Sequence, residues 1–149
     1  MVERARRSGG PLAVMLLDID HFKAVNDRWG HGGGDRVLAG VALRLRAWLP
    51  EEALVARIGG EEFLVALPDT GAAEARAWAD GLRARVRARP FPLDLPHGAE
   101  VRVTVSVGVA AAAGPHAAEA SDLIARADAA LYRAKNAGRD AVSMAGGLS

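Results

Sequence analysis

The run Leu12-Ala-Val-Met-Leu-Leu17, followed at once by Asp18-Ile-Asp20, decides how the rest of the chain is read. An unbroken apolar run of strand length, without polar alternation, reads as a central strand covered on both faces. Such a strand carries Asp18 and Asp20 to its C-terminal end, where active sites of open sheets often lie. Arginines ahead of it give residues 1–17 a superficial likeness to a secretion signal. The two aspartates end the apolar stretch with no small-residue cleavage site, so the strand reading stands.

Outward from that strand, residues 22–29 read as a short helix stopped by Gly30. Residues 35–49 read as a core-facing helix through Val37, Leu38, Val41, Leu45 and Trp48, ended by Pro50. Residues 54–58 and 63–67 flank Gly59-Gly60, a pair that supplies the positive φ angles of a tight hairpin. Residues 70–89 carry Ala75, Trp78, Ala79, Leu82 and Val86 on one side and arginines on the other, a basic face read as solvated surface. Valines at 101, 103, 105, 107 and 109 alternate with Arg102, Thr104 and Ser106, the period of a strand with one buried face. Ser121 caps a final helix that Gly138 stops, and a short strand is expected at residues 141–144. This order predicts an α/β or α+β sandwich, a mixed sheet covered by helices.

The chain has 149 residues, 50% hydrophobic and 25% charged, which is one domain with a packed core and excludes a disordered or fibrous chain. A formal net charge of +1 gives no global attraction for nucleic acid or membrane, so neither is expected as a partner. Without cysteine there is no disulfide, thiolate nucleophile or Cys-ligated metal, and a cytoplasmic location is expected. The longest uncharged stretch, residues 103–118, is broken by Gly108, Gly114 and Pro115 and does not make a membrane span.

Three segments hold chemistry. Asp18 and Asp20 offer the carboxylate oxygens a hard cation needs, although an Asp pair leaving a strand also serves as a helix cap or solvated turn. Gly59-Gly60-Glu61-Glu62-Phe63 puts two carboxylates at a hairpin tip, where they are either plain solvated surface or the partner of something positive. Residues 26–35 contain an amide, carboxylates and glycines able to meet a purine edge, or equally a turn with Asp35 as cap. Of 19 basic side chains only Lys23 and Lys135 are lysines. Lys135 lies four residues before Arg139, a spacing that aims two cations one way or simply offsets a helix dipole.

Taken together, these residues resemble the GGDEF domains, diguanylate cyclases that condense two GTP molecules into cyclic di-GMP. The resemblance rests on Asp18-Ile-Asp20-His21-Phe22-Lys23, Asn26-Asp27, Gly30-His31, Gly34-Asp35, Arg57-Ile-Gly-Gly-Glu-Glu-Phe63, Val105-Ser-Val-Gly108 and Ala130-Leu-Tyr-Arg-Ala-Lys135 with Gly138-Arg139. It implies a central five-stranded mixed sheet surrounded by helices, related to nucleotidyl cyclases and the polymerase palm. It further implies that Asp18, the Ile19 carbonyl and Glu61 bind Mg²⁺ or Mn²⁺, with Asp20 and Glu62 close by. Glu61 is the implied base for the attacking 3′-hydroxyl. Lys23, Lys135, Arg139 and the backbone near His21 and Phe22 are the implied triphosphate partners, and Gly59 and Gly60 the glycines of the substrate turn. Asn26 and Asp35 are the implied guanine readers, since guanine offers N1–H and N2–H₂ donors that adenine lacks. Because the product joins two GTP molecules, a homodimer is implied for catalysis.

The chain departs from the family pattern in three places. The segment that ordinarily precedes the first strand is absent, so the chain is expected to be an N-terminally truncated catalytic domain, excised from a larger regulated protein. His21 stands where an aromatic residue is common. Pro50-Glu-Glu-Ala53 replaces the Arg-x-x-Asp pair of the inhibitory product site. The competing reading is a non-catalytic module that binds GTP or cyclic di-GMP. Asp18, Lys23, Glu61, Lys135 and Arg139 are all present, whereas a degenerate relative is expected to have lost at least one.

Overall fold

The computed structural model describes residues 10–96, 98–113 and 120–146. The arginine-bearing residues 1–9 and the end of the uncharged stretch, residues 114–118, lie outside the described residues. The apolar run forms β1 (Leu12–Ile19), buried at all eight positions. Helix α1 (Phe22–Trp48) follows, then β2 (Leu54–Arg57), β3 (Glu62–Pro68) and α2 (Ala72–Ala88). A ribbon of β4 (Phe91–Pro92) and β5 (Glu100–Val101) leads to β6 (Val105–Ala112), α3 (Ala120–Asn136) and β7 (Val142–Met144).

The main sheet has the order β2-β3-β1-β6-β7. β1 is antiparallel to β3 and β6, β2 is antiparallel to β3, and β6 and β7 run parallel, so the sheet is mixed with β1 at its centre. Alternate residues of β1 enter two cores. Ala13, Met15, Leu17 and Ile19 pack with Val37, Leu38, Val41 and Leu45 of α1 and Ala79, Leu82 and Val86 of α2. Leu12, Val14 and Leu16 pack with Leu123, Ala127 and Leu131 of α3. Each fully buried Leu or Met contributes roughly 2 kcal/mol of transfer free energy, which makes β1 the fixed axis of the molecule. The period of 2 then puts Asp18 and Asp20 on the α3 side.

Several sequence expectations need correction. The first third holds two helical segments that meet at Gly30 (φ 75°, ψ 176°), together α1; Gly30 stops the first as expected, and the second resumes at once rather than at Asp35. Only glycine takes that conformation readily, so Gly30 ends the first segment and redirects the chain into the second. The valine strand is split. Residues 102–104 leave the ladder because Thr104 turns to Asp20, and β6 is buried on both faces over Val105–Ala110 instead of one. The β4–β5 ribbon went unforeseen. The last helix opens at Ala120, so Ser121 lies inside its first turn. Nor is the face of α2 merely solvated: Arg83 pairs with Asp140 at 2.8 Å, and Arg85 stacks 3.4 Å over the Trp48 ring.

Gly108 is where β6 and α3 touch. A Cβ there would collide with the Ala127 carbonyl and the Leu131 amide, so helix backbone lies directly on strand backbone. The far end of α2 is closed by Arg44 of α1. Its guanidinium stacks 3.5 Å over Phe91 and donates to the carbonyls of Arg85, Val86, Arg89 and Pro90 at 2.8–3.3 Å, satisfying groups a helix C-terminus leaves unpaired.

Candidate active site

The register of the sheet builds the site. β1 and β3 pair so that Asp18 lies opposite Glu62, and the Ile19 amide donates to the Glu61 carbonyl at 3.2 Å. The hairpin that carries Glu61 is closed by the Ile58 amide on the Glu62 carbonyl at 3.0 Å, with Gly59, Gly60 and Glu61 forming its tip. Neither glycine takes the positive φ expected for it. Around Gly60 a Cβ would meet nothing within 4 Å, so this glycine leaves open space at the tip rather than supplying a special backbone angle.

Across the sheet, α3 brings Lys135 back to the end of β1. Its Nζ donates to Asp18 Oδ2 at 2.7 Å, and Asp18 is buried. This contact, and not only dipole compensation at the helix end, explains the placement of Lys135. Burial is the main force pushing the Glu61 carboxyl above the ordinary range. The Asp18 charge and a hydrogen bond to Asp18 add to it, Lys135 opposes it, and Glu62 adds a smaller repulsion. Glu62 is raised too, first by burial and then by Asp18, with Lys135 opposing and Asp128 adding. Three crowded carboxylates with one cation beside them form a cation-hungry site.

A hard divalent cation fits this donor chemistry. Asp18 and Glu61 offer carboxylate oxygens, and Ile19, whose side chain is in the core, offers only its backbone. Among the described residues no group of three or more His, Asp or Glu side chains is placed to hold a metal ion by itself. Asp20 does not belong to that donor set. It is buried, and its carboxylate accepts from Thr104 Oγ1 at 2.7 Å, Ser106 Oγ at 2.7 Å and the Asp140 amide at 2.9 Å.

The remaining expected residues divide by exposure. Phe22 is buried in the core, so only its backbone can face a ligand. His21 precedes α1 at φ 57° without a side-chain cap on the helix, leaving the first amides of α1 as donors for an anion. Lys23 is 90% exposed and 3.4 Å from Asp27, a loose pair that a phosphate can displace. Asn26, before the Gly30 kink, packs over Gly34, after it, where a Cβ would strike the Asn26 side-chain oxygen; the next residue, Asp35, is exposed. Arg139 is exposed, on a backbone with φ 67°.

Sequence reasoning missed Thr104, Ser106, Asp140 and Arg83 as neighbours of the site. Ser106 carried a signal, because a hydroxyl inside an otherwise apolar two-sided strand must satisfy a buried partner. Arg83 and Asp140 carried none, since their pairing joins residues 57 apart.

Comparison with known proteins followed from this geometry. The family model described as the GGDEF domain of diguanylate cyclases matches residues 1–141. The chain is 46% identical over 144 residues to the diguanylate cyclase DgcP of Pseudomonas aeruginosa, covering 97% of this chain and 21% of that protein. It is 44% identical over 143 residues to the response regulator PleD of Caulobacter vibrioides, covering 95% of this chain and 31% of PleD. The chain thus spans about a fifth to a third of the length of these curated relatives. The structure resembles the GGDEF domain of TpbB (YfiN) from Pseudomonas aeruginosa with a TM-score of 0.88 at 37% identity, covering 99% of this chain and 89% of that one. It resembles the GGDEF domain of DgcB from Caulobacter crescentus, solved in complex with c-di-GMP, with a TM-score of 0.87 at 34% identity, covering 97% and 81%.

Proposed function

As the chain belongs to the GGDEF family of diguanylate cyclase domains, we propose that it condenses two GTP molecules into cyclic di-GMP and releases two pyrophosphates. The observation that carries this reading is the meeting of Asp18, Glu61, Glu62 and Lys135 where β1, β3 and α3 converge. A degenerate binding module has no need to keep three mutually repelling carboxylates together.

In each of two equivalent steps the 3′-oxygen of one GTP attacks the α-phosphorus of the other. The bond from that phosphorus to the β-phosphate oxygen breaks, and pyrophosphate leaves with the electron pair. Glu61 accepts the 3′-hydroxyl proton as general base. Mg²⁺ or Mn²⁺, held by Asp18, Glu61 and the Ile19 carbonyl, supplies charge neutralisation on the triphosphate. Lys23, Lys135, Arg139 and the uncapped amides of α1 near His21 and Phe22 hold the phosphates. Gly59 and Gly60 leave room for the nucleotide at the hairpin tip, with Glu62 as the second carboxylate of the turn. Asn26 and Asp35 read guanine, the carboxylate accepting from N1–H and N2–H₂.

Each domain holds one GTP, so two copies must face each other. The share of the relatives' length that the chain covers supports its being the catalytic domain of a larger regulated protein, working in the cytoplasm where GTP is available. Among the described residues no helix is long and apolar enough to cross a membrane. Incubation with GTP and Mg²⁺ or Mn²⁺, with chromatographic resolution of products, tests the reading. Cyclic di-GMP and pyrophosphate in a 1:2 ratio support it. GTP bound but unchanged at high protein concentration overturns it in favour of a non-catalytic module.

A further inference from the structure

Behind the phosphate-facing residues lies a second polar network that the proposed chemistry does not use. After α3 the chain makes a tight reversal. The Gly138 amide donates to the Lys135 carbonyl and the Arg139 amide to the Ala134 carbonyl at 3.1 Å, with Gly138 at φ 117°. This is the usual glycine-terminated helix end. The next two residues are unusual: Arg139 and Asp140 both keep left-handed backbones, φ 67° and 46°. Non-glycine residues hold that conformation only where surrounding contacts over-determine it.

Those contacts all fall on Asp140. Its amide donates to Asp20 Oδ2 at 2.9 Å, and Asp20 is itself fixed by Thr104 and Ser106. Its carboxylate accepts from Arg83 Nη1 of α2 at 2.8 Å and stands 3.5 Å from Arg87 Nη1. One residue further, the Ala141 carbonyl accepts from the Val107 amide at 2.9 Å, and β7 begins. Arg139, by contrast, is exposed and makes no side-chain hydrogen bond or ion pair with another described residue. Its direction is therefore set by its backbone, which is held on one side by the Ala134 carbonyl and on the other by the residue after it.

We infer that Asp140, clamped between Arg83 and the Asp20 carboxylate, is a positioning residue that aims Arg139 at the triphosphate. This rests on the reading that Arg139 meets the phosphates. The Asp20 carboxylate thus acts as an anchor for the arginine arm of the site rather than as a cation ligand. α2 acts on this arm of the site through Arg83.

The test measures binding of a non-hydrolysable GTP analogue and of GMP, both with Mg²⁺, by calorimetry on the folded chain. The variants are Asp140→Ala, Asp140→Asn, Arg83→Met, Arg139→Ala and the Asp140→Ala/Arg139→Ala pair. Loss of one charge-assisted contact predicts about tenfold weaker binding of the analogue for Asp140→Ala, Arg83→Met and Arg139→Ala, with GMP affinity unchanged. Asp140→Asn stays within about twofold of the unaltered chain, because asparagine keeps an oxygen for Arg83 and tolerates the left-handed backbone. The double variant is no weaker than Arg139→Ala alone, since both changes remove one contact.

Analogue affinity unchanged in both Asp140→Ala and Arg83→Met overturns the inference. Parallel loss of GMP and analogue overturns it in favour of a purely structural role, and so do additive losses in the double variant. If the unaltered chain binds the analogue but Arg139→Ala does not weaken it, the phosphate role of Arg139 and this inference fail together while GTP binding stands. If the unaltered chain does not bind the analogue, the proposed function itself fails and takes the inference with it.

Discussion

Glu61 and Glu62 carry a cost that only a bound cation relieves. A carboxyl whose pKa is raised on folding holds its proton more tightly in the native chain than in the unfolded one. Its stabilising contribution is complete below the ordinary carboxylate pKa and is lost as pH rises through the raised value. The cation-free protein therefore loses stability from this pair between mildly acid and neutral pH, and Mn²⁺ restores it. Thermal melts at pH 5 and pH 7.5 check this, with a larger cation-induced rise in Tm expected at the higher pH. Glu61→Gln removes both the repulsion and the metal ligand. The variant should melt about 2–4 °C higher without cation, lose the Glu61 share of the pH slope while keeping that of Glu62, and turn over at least about 100-fold more slowly. An unchanged slope would show that the carboxylates do not couple. At the other end of the substrate, Asp35→Ala should reduce discrimination between GTP and ATP by about tenfold in competition binding, through lost guanine affinity. Equal weakening of both nucleotides would make Asp35 structural. Asp18, Glu61 and Lys135 were singled out in the sequence only through the ordered set of motifs that resembles the family, since each taken alone also read as a cap, a solvated turn or a helix-end charge. Asp140 was not, because its importance lies in contacts to Asp20 and Arg83 that only the folded chain makes.

Helix α3 is the element most exposed to a single change. Gly108→Ala would drive a methyl into the Ala127 carbonyl and the Leu131 amide, so helix and strand must separate. A destabilisation of about 2–4 kcal/mol is expected in urea titration. Lys135 rides on the same helix, so affinity for GTP should fall in the molecules that remain folded; unchanged affinity would show that Lys135 reaches the site without α3 being seated. The turn into β2 governs a different property. Glu51 and Glu52 are exposed, the Ala53 amide closes on the Pro50 carbonyl at 3.0 Å, Arg44 of α1 is committed to the end of α2, and Arg46 lines a cavity with Pro50, Glu51 and Ala53. Nothing cationic in residues 50–53 awaits a phosphate, and cyclic di-GMP should not inhibit tightly through this turn. Micromolar product binding mapped to residues 50–53 by protection would contradict that. Most elements were readable because β1 is an unbroken apolar run and α2 carries a clean helical period. The valine run misled at residues 102–104: Val101 and Val103 keep the alternating burial of a strand, but the Thr104 carbonyl and hydroxyl are taken by Asp20. Periodicity reports burial, not ladder partners.

At the scale of the whole molecule, one domain supplies one set of carboxylates and one set of phosphate-binding cations. A symmetric product therefore asks for two copies. Specific activity should rise with protein concentration, and fusion to a coiled-coil dimeriser should raise it further at low concentration. Turnover independent of concentration in a sample shown to be monomeric by light scattering would refute this. The sheet order β2-β3-β1-β6-β7 with helices on both sides was legible as a mixed covered sheet. The pairing of dimer halves was not, because it depends on surfaces rather than periods. The same strand order has a consequence in time. The ion pair between Lys135 and Asp18 joins residues 117 apart, and the ladders of β1 with β3 and β6 also link distant parts of the chain. Contacts of such long sequence separation form slowly and late, over milliseconds to seconds in domains of high contact order. A partly folded chain therefore holds no half-built site: the grouping of Asp18, Glu61, Glu62 and Lys135 arrives only with the completed tertiary structure.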